Sequence, residues 1–132
     1  MAALICGSLA YDTVMVYPGR FGDHILPDKI HLLNLSFVVP TQRRNFGGCA
    51  GNIAYNLRLL DCPAHAMGTV GHDFGPYREW MIQNGMSLAH VKRLDDEFTA
   101  QAYITTDLDS NQLTAFHPGA MKYFAEKGVK VD

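Results

Sequence analysis

Gly47 and Gly48 stand side by side where a β-rich run gives way to helical periodicity. Two residues without Cβ atoms let a ligand touch the backbone. Beyond them, Ala50, Ile53, Ala54, Leu57 and Leu60 recur at helical spacing. This predicts a helix from Ala50 to Leu60 with one apolar stripe, Arg58 projecting away from it. Asp61-Cys62-Pro63 ends the helix, because the residue before a proline disfavours the helical conformation. A helix entered through a glycine doublet points its first free N–H groups at whatever lies above the turn. Asn52 adds a side chain with both donor and acceptor capacity, suited to sugar hydroxyls. The same glycines would also serve a plain strand-to-helix turn with no ligand.

Around this junction the chain alternates. Residues 3–6 form a short apolar run ending at Gly7, as a central buried strand does. Residues 13–17 are a second β-rich run, stopped by Pro18-Gly19, and 20–32 read as loop. Leu33, Leu35, Phe37 and Val39 alternate with their neighbours, predicting a half-buried strand up to Pro40, with 42–46 as a polar partner strand. Residues 64–70 read as a strand. Asp73 is placed to N-cap a helix over 74–84 that Gly85 ends. Tyr77, Trp80 and Met81 on that helix read as core or interface packing. The turn cluster 107–111 makes 99–117 a hairpin. Strands alternating with helices over 50–85 imply a covered parallel sheet, and the hairpin-like stretches a separate small sheet.

The 132 residues suffice for one domain. Hydrophobic residues make up 48% and charged residues 18%, a globular balance. The net charge of −2 gives no electrostatic footprint for nucleic acid or an anionic membrane. No apolar run approaches the roughly 18 residues of a membrane span. The N-terminus lacks the basic start of a signal peptide, so the expected location is cytoplasmic. Cys6, Cys49 and Cys62 form no Cys-x-x-Cys pair and read as small buried thiols, Cys49 as a filler beside the glycines. The six histidines show no metal-binding spacing.

Asp12 follows the first strand, where open α/β sheets bind ligands. Its carboxylate can accept from two hydroxyls at once, or from its own backbone in a turn. G-x-G-x-x-G and G-x-x-x-x-G-K-[ST] are both absent, so neither a dinucleotide fingerprint nor a P-loop is present. The ordered set Ile5-Cys6-Gly7-Ser8 with Asp12, Gly47-Gly48-Cys49-Ala50-Gly51-Asn52, Gly68-Thr69-Val70-Gly71-His72-Asp73 and Asn84-Gly85 resembles the ribokinase-like (PfkB) carbohydrate kinases. Bacterial adenosine-kinase-like and ribokinase-like members are the nearest match.

That resemblance implies an α/β fold: a partial Rossmann-like, ribokinase-like sheet with helices, plus a small β-sheet lid from strands near 13–17, 33–46 and 99–117. It implies ATP-dependent phosphorylation of a sugar or nucleoside hydroxyl, adenosine or ribose type. Asp12, Gly47, Gly48 and Asn52 would bind the acceptor. Phe116 would stack on a base or sugar ring, or simply pack within the lid. The family's Gly-Ala-Gly-Asp signature, which carries the catalytic base, has no match in residues 1–132. The chain is therefore expected to be the N-terminal part of a kinase, inactive alone, with the ATP and Mg²⁺ sites outside it. Residues 121–132 would stop before the sheet is complete. A sugar- or nucleoside-binding module without catalysis, or a homodimer formed through the lid, is the competing expectation.

Overall fold

The computed structural model describes residues 1–124. Two sheets share the work. One is parallel, in the order β1 (Ala3–Cys6), β4 (Ala64–Gly71), β5 (Ser87–Leu94). The other contains β2 (Ala10–Val16), β3 (Thr41–Gly47), β6 (Ala100–Thr106) and β7 (Gln112–His117), in the order β3-β2-β6-β7. Its β2-β3 and β6-β7 pairs are antiparallel and β2-β6 is parallel. Helices α1 (Cys49–Leu59) and α2 (Gly75–Gln83) cover the parallel sheet, burying Leu9, Tyr11, Ala50, Ala54, Ala66, Val70, Phe74, Tyr77, Met81 and Met86 in one core. Gly85, at φ 66°, supplies the left-handed residue that ends α2. The α/β core with an attached small sheet is thus as expected.

Several expectations are corrected. Residues 33–40 form no strand. Their alternation is real in burial, since Leu35, Phe37 and Val39 turn inward while Asn34, Ser36 and Val38 face out. Alternation reports which side meets protein, however, and not whether the backbone finds a ladder. Phe37 is held instead by ring contacts with Tyr17 and Phe21, at 4.6 and 5.4 Å. The stripe of α1 is rotated from the expected one. Ala50, Gly51 and Ala54 are buried, whereas Ile53 and Leu60 are 47% and 71% exposed. Small residues are required there because the Tyr77 hydroxyl occupies the space a Cβ on Gly51 would take. Asp73 does not cap α2, which begins after Phe74. Its carboxylate is taken by the start of β6, accepting from Thr99 N–H (2.7 Å) and Gln101 Nε2 (3.0 Å). All three cysteines are exposed, because they lie at element ends and not in the interior. Strand β5 was not anticipated. The expected incompleteness of the sheet over 121–132 falls largely on residues 125–132, outside the described residues.

The turn between β6 and β7 is tied to the loop after β2 by one carboxylate. Asp107 accepts at Oδ1 from Asp109 and Asn111 N–H, and at Oδ2 from Phe21 N–H (2.9 Å) and Asn111 Nδ2. Burial opposes its ionisation, but the Phe21, Asn111 and Asp109 donors outweigh it and hold its pKa below the ordinary carboxylate value. A folded-state pKa below the unfolded one stabilises the fold above the unfolded pKa, and the gain is lost as pH falls through the folded value. Asp107→Ala should therefore lower the melting temperature at pH 7. Scanned from pH 7 to 3, the gap to wild type should close only at the acid end. A gap that is absent at pH 7, or constant throughout, would contradict the staple.

Candidate functional site

The glycine turn is held from below by Ser8. Gly48 has φ 89° and ψ 148°, a conformation that residues with a Cβ rarely take. A Cβ there would also overlap the Ser8 carbonyl and approach Ala10 N to 2.9 Å. The Ser8 Oγ accepts from Cys49 N–H (2.9 Å) and the Ser8 carbonyl from Ala50 N–H (3.0 Å). The first two N–H groups of α1 are thus already satisfied, contrary to the expectation that they are free for a ligand. What the turn keeps is its lack of side chains.

Asp12 lies beside it. A Cβ on Gly47 would overlap the Asp12 carboxylate, so that glycine makes room for the acid. The half-buried Asp12 side chain accepts no hydrogen bond from the described residues. Burial alone pushes its pKa above the ordinary value. A carboxylate kept partly desolvated with no partner is the pattern of a binding group. Asn52 occupies the fourth position of α1 and is exposed. Its side chain makes no hydrogen bond within the described residues, and Cys49 and Asn56 share its helix face.

Phe116 is 52% exposed on β7. Register connects it to Asp12: Phe116 pairs with Ala102, Ala102 with Asp12, and Asp12 with Asn45. Residues paired across strands share a face. Phe116, Ala102, Asp12 and Asn45 therefore form one row across β7, β6, β2 and β3. Strand spacing puts Phe116 roughly 10 Å from Asp12, with only the alanine between. The row joins Asp12 and Phe116 on one surface and adds Asn45, which sequence reading did not single out.

Tyr77 is the other residue whose part was missed. Fully buried on α2, it donates its O–H to the Gly47 carbonyl at 2.7 Å. Burial, then the charges of Asp12 and Tyr11, push its pKa far above the usual tyrosine range, so the phenol keeps its proton. The signal available in sequence was Gly51, a glycine inside a helix, which marks close approach by something else.

The raised Asp12 pKa carries a stability consequence. Ionisation costs more in the fold than in the unfolded chain, so stability from this group declines as pH rises through its unfolded and then its folded pKa. Asp12→Asn, which removes that cost, should raise the melting temperature at pH 7, and the advantage should vanish near pH 3. A less stable variant at pH 7 would show that the carboxylate supports the fold and is not held at a cost.

Comparison with known proteins finds similarity to kinases. A nucleoside kinase of Methanocaldococcus jannaschii is 32% identical over 95 residues, 70% of this chain and 32% of that protein. The chain thus spans about a third of that relative's length. Among solved structures, Burkholderia thailandensis nucleoside kinase in complex with inosine has a TM-score of 0.75 at 57% identity, covering 89% of this chain and 37% of that one. The Methanocaldococcus jannaschii nucleoside kinase structure, a member of the ribokinase family, has a TM-score of 0.79 at 27% identity, covering 95% and 39%. The family model described as pfkB family carbohydrate kinase matches residues 9–132, and the chain belongs to that family.

Proposed function

We propose that this chain is the acceptor-binding part of an ATP-dependent kinase that phosphorylates a nucleoside hydroxyl. The observation that carries the reading is the row from Asp12 to Phe116. A carboxylate with no hydrogen-bond partner among the described residues lies roughly 10 Å from an exposed aromatic ring, across a small residue, on one sheet face. A ribose held at Asp12 and a base stacked on Phe116 fit that span, whereas a free sugar leaves the ring unused. Asn52 and the Gly47-Gly48 backbone complete the ribose side. The relatives named above are nucleoside kinases, and one is bound to inosine.

Catalysis of phosphoryl transfer rests on positioning and charge stabilisation. The residues described supply the positioning of the acceptor. Among the described residues no group of three or more His, Cys, Asp or Glu side chains is placed to hold a metal ion. The base and the Mg²⁺-ATP contacts belong, in this reading, to sequence outside them. No described helix is long and apolar enough to cross a membrane. A homodimer through the lid has its own support: among the described residues β7 is an edge strand exposed along its whole length, Leu113 and Phe116 included.

Calorimetry of the 132-residue chain with inosine tests the reading. Asp12→Ala removes charge-assisted hydrogen bonds of about 1.5–3 kcal/mol, so affinity should fall by roughly one to two decades. In wild type, affinity should also weaken as pH drops through the raised Asp12 pKa, because only the ionised acid accepts from two hydroxyls. Undiminished binding by Asp12→Ala would refute the assignment. Gly48→Val should abolish binding and, because its Cβ meets the Ser8 backbone, should also lower the melting temperature. Retained affinity would return the glycine pair to a plain turn.

A further inference from the structure

We infer that Tyr77 is a positioning residue of the acceptor site: its buried hydroxyl fixes the Gly47–Gly48 peptide and thereby the direction of the Gly48 N–H. The inference rests on the reading of the glycine turn as part of the acceptor site. The peptide is planar and trans, since the described residues contain no cis bond. Its carbonyl and its N–H therefore point in opposite directions. The Tyr77 O–H draws the Gly47 carbonyl toward α2 at 2.7 Å, so the Gly48 N–H points away from α2. Ser8 already occupies the N–H groups of Cys49 and Ala50. The Gly48 and Gly51 N–H groups remain, and Tyr77 sets the aim of the first.

The arrangement is built around the hydroxyl. Packing alone would be met by phenylalanine, since the Tyr77 ring lies among Tyr11, Phe46, Phe74 and Trp80 at centroid distances of 5.0–5.9 Å. Yet Gly51 gives up its side chain where the oxygen sits. The other end of the residue is also held. Tyr77 N–H donates to the Tyr11 hydroxyl at 3.3 Å, and that hydroxyl donates to the Asp73 carbonyl at 2.7 Å. Burial, then the charge of Asp12, favours the protonated phenol, the form that donates.

Tyr77→Phe keeps the ring and removes the donor. Thr69→Val is the control. It removes another buried hydroxyl, which donates to the Ala120 carbonyl at 2.6 Å away from the glycine turn. Both variants should lose thermal stability. Only Tyr77→Phe should weaken inosine binding, by about tenfold, the effect of one neutral hydrogen bond's worth of misalignment. In amide NMR spectra of the free chain, Tyr77→Phe should shift the Gly48 signal and speed its hydrogen exchange, whereas Thr69→Val should leave both as in wild type. Wild-type affinity in Tyr77→Phe, or an unmoved Gly48 amide, would overturn the inference. If the wild-type chain binds no nucleoside, the acceptor reading fails for this chain, and the Gly48 amide still decides whether Tyr77 fixes the peptide.

Discussion

One peptide unit, between Gly47 and Gly48, is constrained from three sides, and the site depends on it. Ser8 presses from below and leaves no volume for a Cβ at Gly48. Tyr77 holds the carbonyl from the side of α2. The positive φ of Gly48 turns the chain from lid strand into core helix in one residue. This is also where the four-stranded sheet passes into the helical layer of the core, because β3 ends and α1 begins there. Asp12 reaches the same place from the lid, and Gly47 is bare because the acid lies against it. A substitution at either glycine thus disturbs lid, helix and acid together.

The lid is tied to the core by a second set of bonds. Asp73 follows β4 and holds the start of β6 through Thr99 and Gln101, while Tyr11 of β2 donates to the Asp73 carbonyl. Gly71 has no room for a side chain against the backbone of Glu97 and Phe98, and its N–H donates to the Thr99 Oγ1. These contacts fix the base of the lid where Tyr11 is buried, whereas β7 at its far edge is exposed throughout. The bonded base of this sheet thus lies near Asp12, and its exposed edge carries Phe116.

The glycine turn and the alternation of strand and helix over 50–85 were legible because each has a local cause: absent side chains and a change of period. Residues 33–40 were misread because a period of two records burial and says nothing of a ladder partner. Strand β5 escaped because it is an edge strand whose Ser87, His90, Lys92 and Arg93 blunt the apolar pattern. The rotation of α1 toward Gly51, with Ile53 left outside, is decided by a hydroxyl from another helix. The row from Phe116 to Asn45 depends on the register of three strand pairs, which no single segment specifies.

The central claim is that an acceptor nucleoside lies along that row and against the glycine turn. Titrating the isotope-labelled chain with inosine and following its amide signals tests it most directly. The account predicts shifts concentrated at Asp12, Gly47, Gly48, Asn52, Ala102 and Phe116. Shifts gathered instead around the cavity of about 270 Å³ lined by Val70, Phe74, Arg78 and Arg93 would contradict it, as would no shift at any nucleoside concentration.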